Sequence, residues 1–274
     1  MKSYTIAAEG LQAEILPEKG ATLTQLSLNG TEYLYRDPEN LASPERPRCG
    51  VPFLFPMFGR LKDSRYTWEG NTYHMEIHGF AHTSRWEVAE HRTDLLRLVL
   101  TENDETLAQY PFSFRVEMTY RIEFGLLAIE LRFENTGKTD MPFNYGFHPY
   151  FLTENLEHTE VEARADARID FATGKALPFG HDVLTLSIPQ GAPEAGAALA
   201  GLHSPAAIHI SRENRHLTMA FDASYNQMVL WTQAGKPFLC VEPINGSPNG
   251  LNTGNYLTLK PGEVRQSFLR LRPL

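Results

Sequence analysis

Two residues, His148 and Glu242, are of types that could carry out proton transfer. His148 lies inside an aromatic run, N-Y-G-F-H-P-Y-F, at residues 144–151, and histidine titrates near neutrality. Glu242 follows the apolar run P-F-L-C-V, where a buried strand would end and a Pro/Gly/Asn loop begins. A histidine and a carboxylate can serve as general acid and general base. His148 could equally pack among aromatic rings, and Glu242 could anchor its loop by accepting backbone hydrogen bonds.

Three histidines, His74, His78 and His82, repeat every four residues. On a helix, this spacing would place metal ligands on one face. Gly79 and the extended-looking segment G-F-A-H-T-S-R-W-E-V argue against a helix, and Glu76 does not form an H-E-x-x-H motif. We therefore predict no metal site and no cofactor, and His78 could equally be a hydrogen-bonded structural residue.

Composition limits the class of partner. The formal net charge is −8 over 274 residues and no run of Lys or Arg occurs, which argues against nucleic acid and favours a small-molecule ligand. Cys49 and Cys240 lie far apart, as expected for reduced thiols in a cytoplasm. No leader-like segment and no stretch of about 18 uncharged apolar residues occurs, so we expect a soluble cytoplasmic protein without a membrane partner.

The elements that must position these residues read mainly as strands. At residues 114–124 the even positions are apolar and the odd ones polar, which predicts a half-buried strand. Residues 127–133 repeat the alternation before an Asn-Thr-Gly turn, so two adjacent antiparallel strands are expected. Asn-Gly at 29–30 and Gly-Asn at 70–71 predict short hairpins.

Helical signals are few. They are a possible turn at N-D-E-T-L-A-Q-Y and an alanine-rich stretch, P-E-A-G-A-A-L-A-G-L, which could also be a loop. No linker or repeat divides the chain, so we predict one all-β domain over residues 1–274. At this size we expect a large antiparallel β-sandwich, because a sheet with one apolar face must bury that face against another.

Four blocks, taken in order, resemble the aldose 1-epimerase (galactose mutarotase) family. They are R-C-G-V-P-F-L-F-P-M-F-G-R-L-K-D-S-R-Y, H-G-F, N-Y-G-F-H-P-Y-F and C-V-E-P-I-N-G-S-P-N-G-L-N-T-G, spread over residues 48 to about 255. The phrases G-R-L-K-D-S-R-Y and H-G-F-A-H are most similar to the bacterial branch of LacX-like proteins and hexose-6-phosphate mutarotases. The resemblance implies the galactose mutarotase-like β-supersandwich.

The resemblance also implies roles for particular residues. Glu242 matches the general base, His148 the general acid and His78 a second histidine near the ring oxygen of the sugar. Arg60 matches a contact to sugar hydroxyls, and Asp182 a substrate-binding aspartate. The implied reaction interconverts the α and β anomers of a hexose, and we expect Glu242, His148, His78 and Arg60 to line one open cleft.

Whether the sugar is phosphorylated is open. In the hexose-6-phosphate branch the histidine motif usually continues as H-G-F-A-R, with the arginine on the phosphate side, whereas this chain has His82 there. Arg48 matches another arginine of that branch, and Lys62 and Arg85 could add positive charge. Both hexoses and hexose 6-phosphates therefore remain candidate substrates.

Two other functions compete with this one. The same sandwich could serve as a non-catalytic carbohydrate-binding or sugar-sensing protein, since fold does not fix function. Retention of both His148 and Glu242 argues against a binder, which needs hydroxyl partners but no acid–base pair. A glycoside hydrolase would require two carboxylates beside the scissile bond, and only Glu242 has a motif behind it.

Overall fold

The computed structural model describes residues 1–170, 174–210 and 215–274. Three short helices occur in this part of the chain: α1 (Pro38–Ala42), α2 (Asp104–Gln109) and α3 (Gly250–Thr253). Single 3₁₀ turns occupy Pro17–Lys19, Lys62–Ser64 and Leu156–His158. The strands, in chain order, are β1 (Tyr4–Ala8), β2 (Leu11–Leu16), β3 (Thr22–Leu28), β4 (Thr31–Glu32), β5 (Phe53–Leu54), β6 (Arg65–Trp68), β7 (Asn71–His74), β8 (Glu87–His91), β9 (Leu95–Thr101), β10 (Phe114–Glu123), β11 (Leu126–Asn135), β12 (Met141–Phe143), β13 (Gly146–Phe147), β14 (Tyr150–Leu152), β15 (Thr159–Asp170), β16 (Ala176–Leu184), β17 (Glu194–Ile210), β18 (Arg215–Phe221), β19 (Gln227–Gln233), β20 (Phe238–Ile244), β21 (Leu257–Leu259) and β22 (Val264–Pro273).

One antiparallel sheet of fourteen strands dominates the fold. Its main order is β5-β13-β20-β19-β17-β18-β22-β11-β10-β9-β8. In addition, β14 pairs with β20, and β15 pairs with both β17 and β16. Strands β1 to β4 form a second sheet, and the pairs β6–β7 and β12–β21 form two small ones. The predicted fold class, a large antiparallel β-sandwich, is confirmed.

The clearest predicted hairpin is formed by β10 and β11. Their register pairs Phe114 with Asn135 and Glu123 with Leu126, and the apolar even positions of β10 are buried. Phe124 was expected on this buried face, which is wrong: it is 80% exposed and adopts φ 52° in a two-residue turn with Gly125. The turn needs positive φ at both positions, so the alternation ends one residue before the sequence pattern does.

Several weaker predictions are settled by the same structure. N-D-E-T-L-A-Q-Y forms α2, whose N-cap Asn103 accepts a hydrogen bond from the Thr106 N–H in a capping box. The alanine-rich stretch is neither helix nor loop but, from Glu194 on, part of β17, which pairs with β15 on one side and β19 on the other. The hairpin expected at 70–71 turns at Glu69-Gly70, one residue earlier, and Asn29-Gly30 turns where predicted.

The core runs between the sheets and is rich in aromatic rings. Phe53, Phe55, Phe133, Phe143 and Phe147 are all fully buried in one cluster. Close ring pairs add roughly 0.5–1.5 kcal/mol each beyond the area they bury. Strands β5, β13 and β20 emerge from this cluster, so the segments that follow them start from rigid positions. None of the described helices is long and apolar enough to span a membrane.

Candidate active site

Glu242 and His148 are brought face to face by strand register. Strands β13 and β14 both pair with β20, with Gly146 opposite Ile244 and Tyr150 opposite Cys240. Position 148, between these two pairs, therefore falls opposite position 242. The His148 backbone N–H donates to the Pro52 carbonyl at 3.0 Å, which ties the connection to the segment before β5.

The two side chains are in contact and almost covered. His148 Nε2 lies 3.4 Å from Glu242 Oε1, with 12% of the His148 side chain and 3% of the Glu242 side chain exposed. In the described parts of the chain, no backbone N–H donates to the Glu242 carboxylate, so it does not anchor its loop in the way the simpler interpretation required. The geometry favours an interacting acid–base pair, open to solvent mainly on the His148 side.

His78 completes the group from another direction. Its ring meets that of His148 edge-to-face, with 5.5 Å between centroids. The Gly59 N–H donates to His78 Nδ1 at 3.1 Å, so the neutral ring carries its proton on Nε2 and can donate from there. His78 itself has φ 70°, a left-handed conformation that is costly for histidine and is often held at functional sites.

His82 meets His78 edge-to-face, with 6.2 Å between ring centroids, and is 3% exposed. Its Nδ1 is buried and has no hydrogen-bond partner in the described chain. Burial lowers the pKa of His82 to about 4, with a further contribution from the positive charge of Arg46. A neutral His82 therefore occupies the position where the related branch usually has an arginine.

Arg46 is the charged residue that the sequence reasoning missed. Its guanidinium lowers the pKa values of His148, His82 and Glu242, so it lies close to all three. Within the described residues the guanidinium has neither an ion pair nor a hydrogen bond. A half-buried cation without a protein partner can contact a substrate oxygen.

The segment that carries Arg46 is held by two side chains from elsewhere. Asn40 donates to the Arg46 carbonyl at 3.1 Å and accepts from the Arg48 N–H at 2.7 Å. The buried ammonium of Lys19 donates to the carbonyls of Ser43 and Glu45. Because Lys19 is 24 or more residues away from the carbonyls it binds, no short local pattern could have placed Arg46 beside the pair.

Arg60 and Arg48 border the group without being buried. Arg60 is exposed, yet its charge contributes to lowering the pKa values of His78 and Arg46. The Lys62 N–H donates to Asn249 Oδ1 at 2.9 Å, so the segment after Arg60 is joined to the loop after β20. Arg48 is exposed beside Tyr150 and Trp231 in a groove of about 330 Å³.

Aromatic side chains support the His148 ring. Tyr150 stacks on it with 4.7 Å between centroids and 9° between planes, and Trp231 meets it edge-on at 6.1 Å. Such stacking fixes the ring orientation, so that Nε2 stays directed at Glu242.

Asp182 is not brought to this group. It lies exposed on β16, and β15, β17 and β19 separate that strand from β20. Its carboxylate accepts from the Val183 N–H at 2.8 Å. We therefore leave Asp182 out of the candidate site, which consists of His148, Glu242, His78, His82 and Arg46, with Arg60 and Arg48 at its border.

Burial decides the resting protonation of the pair. It lowers the pKa of His148 to about 3, with Arg46 acting in the same direction. It raises the pKa of Glu242 well above its usual value, although Arg46 opposes this. An exposed carboxylate is ionised at neutral pH and can hold a neighbouring histidine protonated. Burial here instead favours a neutral pair that holds one proton. A pair sharing one proton still contains one donor and one acceptor.

The site is not the open cleft that we expected. His148, Glu242 and His78 are nearly covered, and only Arg60 among the four is exposed. A concavity of about 670 Å³ lies instead against strands β8 to β11 and β22 and includes neither His148 nor Glu242. It is lined by arginines and glutamates that pair with one another, such as Arg97 with Glu90 at 2.9 Å, as on a solvated sheet face.

Comparisons with known proteins agree with this geometry. The sequence model described as "Aldose 1-epimerase" matches residues 2–272. A solved protein of Synechocystis is 30% identical, with a TM-score of 0.90 over 99% of this chain and 95% of its own. A galactose mutarotase related enzyme from Lactobacillus acidophilus is 24% identical, with a TM-score of 0.82 over 100% and 97%.

Among curated proteins, LacX of Lactococcus lactis is 26% identical over 88% of this chain and 87% of its own. The uncharacterised protein YphB of Escherichia coli is 23% identical over 99% of both. These matches confirm the LacX-like branch predicted from G-R-L-K-D-S-R-Y and H-G-F-A-H, and they support a general mutarotase role. The family model matches residues 2–272, and the strand register pairs His148 with Glu242, the two residues at the centre of the family resemblance. The chain therefore belongs to the aldose 1-epimerase family.

Proposed function

We propose that this protein interconverts the α and β anomers of an aldohexose, with Glu242 and His148 as the acid–base pair. The observation that carries the proposal is the 3.4 Å contact between His148 Nε2 and Glu242 Oε1, whose side chains are almost completely buried. A binding protein would not need two titratable groups in contact at its centre. General acid–base catalysis of this kind typically contributes ~10²–10⁴-fold to a rate.

In the proposed reaction Glu242 takes the proton from the anomeric hydroxyl while His148 gives one to the ring oxygen. The C1–O5 bond breaks, C1 becomes an aldehyde, and rotation about C1–C2 exposes its other face. Return of both protons closes the ring as the other anomer, so the pair ends with the proton inventory it had at the start. Neither a metal nor a nucleotide takes part in these steps.

The starting state of Glu242 must be the carboxylate when it acts as base. Burial opposes this state and the positive charge of Arg46 favours it. Transfer of the shared proton across the 3.4 Å contact gives carboxylate and imidazolium together, which is the distribution that the reaction uses. Arg46 therefore contributes by stabilising the carboxylate form of Glu242.

His78 is proposed as a hydrogen-bond donor to the ring oxygen. Because Gly59 occupies its Nδ1, the His78 proton is on Nε2 without any need for a positive charge. Burial and the neighbouring His148 lower the pKa of His78 well below its usual value, so it acts as a neutral donor. This role orients the sugar and leaves proton transfer to the other two residues.

A hexose 6-phosphate is the second candidate substrate, and the arginines favour it. Arg46, Arg48 and Arg60 lie close enough for the charges of the other two to lower the pKa of Arg46. Three guanidiniums beside one catalytic group are suited to a phosphate. His82, in place of the arginine usual in that branch, argues in the other direction.

Exchange NMR on a panel of free hexoses and their 6-phosphates tests both substrates. We expect the protein to accelerate anomer exchange for at least one sugar. If phosphate is recognised, Arg48→Gln should raise KM for the phosphorylated sugar and leave the free sugar unaffected. Saturable binding of a sugar without accelerated exchange would overturn the enzymatic proposal and favour a carbohydrate-binding protein.

A further inference from the structure

A thiol stands beside the acid–base pair. Cys240 lies two residues before Glu242 on β20, so both side chains leave the strand on the same face. It is fully buried and forms no disulfide. One ligand atom from each of His148, Cys240 and Glu242 can be chosen so that all three lie within 4.8 Å of one another.

We propose that His148, Cys240 and Glu242 form a binding site for a thiophilic divalent cation such as Zn²⁺, and that the bound cation inhibits anomerisation. Imidazole nitrogen, thiolate sulfur and carboxylate oxygen are all common zinc ligands, bound at about 2.0–2.3 Å. Donors of a tetrahedral site are then roughly 3.3–3.8 Å apart. The 3.4 Å contact between His148 and Glu242 meets this already, and since the three ligand atoms lie within 4.8 Å of one another, an inward movement of Cys240 would complete the set.

The charge balance favours zinc over harder cations. On binding, the Cys240 thiol and the resting His148–Glu242 pair each lose one proton to solvent, and thiolate and carboxylate together neutralise the two positive charges. Arg46 adds a positive charge beside the site, which penalises any cation that gains little from the sulfur. Mg²⁺ and Ca²⁺ prefer oxygen ligands and should not bind here.

Inhibition follows because the cation uses the lone pairs that the reaction needs. Zinc on His148 and Glu242 leaves neither a proton donor nor a proton acceptor between them. The inhibition rests on the proposed function, whereas cation binding does not. The two can therefore be tested separately on the same protein.

The test uses full-length protein treated with chelator, titrated with Zn²⁺ by calorimetry and with Co²⁺ by absorbance. We expect one Zn²⁺ per chain and a thiolate-to-cobalt charge-transfer band. Cys240→Ala should bind Zn²⁺ about tenfold more weakly or worse and lose the cobalt band, because it lacks one of three ligands. Cys49→Ala is the matched control, since Cys49 is also buried but contacts the Asp37 carbonyl elsewhere.

Anomer exchange is then measured with and without Zn²⁺. Chelator-treated wild type should keep its full rate of anomer exchange. Zn²⁺ should inhibit wild type and Cys49→Ala. The rate of Cys240→Ala, compared with its own zinc-free rate, should change little when Zn²⁺ is added. If Cys240→Ala fails to fold, Cys240→Ser, with melting temperature as the check, replaces it. Absence of saturable Zn²⁺ binding, or equal binding and inhibition in the Cys240 variants, would overturn the proposal. A cobalt–thiolate band in a protein inactive on every sugar would leave the site standing and refute the proposed function.

Discussion

Two polar regions of this molecule use charge in opposite ways. In the concavity against β8 to β11, arginines and glutamates pair on an exposed sheet face, as Arg97 does with Glu90. In the candidate site, His148 and Glu242 meet with almost no exposed surface, and Arg46 lies nearby without an ion pair or side-chain hydrogen bond to any residue that the structure describes. The first region loses little free energy because water solvates its ions, and exposed pairs are worth only about 0–1 kcal/mol. The second shifts pKa values strongly, and such shifts concentrate at functional sites.

The largest expected effect is on the rate of anomer exchange, which a substitution should lower in the candidate site but not in the exposed region. Glu242→Gln keeps the shape of the side chain but removes the proton acceptor, so we expect a rate loss of ~10²–10⁴-fold with sugar binding retained. Glu117→Gln breaks the ion pair with Arg115 in the exposed region and should leave the rate unchanged. Exchange NMR measures the rate of anomer exchange for both variants. Similar rates would contradict the claim that only the candidate site takes part in the reaction.

A second prediction concerns the backbone that positions His78. Gly79 has φ +74°, and a Cβ there would lie 2.3 Å from the Phe55 carbonyl oxygen. Gly79→Ala should therefore lower the free energy of unfolding by about 3–4 kcal/mol, combining backbone strain with a clash. Gly70→Ala is the control, because φ is also positive but no atom of the described residues lies within 4 Å of the added Cβ, and it should cost only about 1 kcal/mol. Urea unfolding measures both variants. Equal losses of unfolding free energy in Gly79→Ala and Gly70→Ala would show that the Phe55 carbonyl does not exclude a side chain at position 79.

The smallest effect is a dependence of stability on pH. Burial lowers the pKa of His82 from 6.5 to about 4, so between these values the unfolded chain binds a proton that the folded chain does not. Stability from this residue is full above pH 6.5 and falls as pH drops towards about 4, by a total on the order of 3 kcal/mol. His82→Gln should reduce the slope of unfolding free energy against pH across this window. His74→Gln, which alters an exposed histidine, should not change it, and an unchanged slope in His82→Gln would contradict the assignment.

Much of the fold could be predicted because alternation reports burial directly. The β10–β11 hairpin followed from period two, and it was wrong only at Phe124, where turn geometry overrides hydrophobicity. The alanine-rich strand β17 was missed because alanine favours helices locally, whereas here backbone pairing with β15 and β19 on the two sides places the segment in the sheet.

The candidate site divides in the same way. His148 and Glu242 stood in recognisable blocks, and the register of β13, β14 and β20 places them in contact. Arg46 could not be found from the sequence, because Lys19 and Asn40 hold its segment through contacts that no short motif records. The resting protonation of His148 and Glu242 could not be predicted from the sequence either, since it depends on burial rather than on residue type.

The central claim, that His148 and Glu242 act as one acid–base unit, is tested most directly by a double-mutant cycle on the anomerisation rate. Exchange NMR would be run on Glu242→Gln, His148→Asn and the double variant, with melting temperatures to confirm folding. Because the two groups move protons in one step, we predict that the double variant is barely slower than either single variant. Losses that multiply, or a His148→Asn protein that is less stable but fully active, would contradict the claim and return His148 to a role in packing.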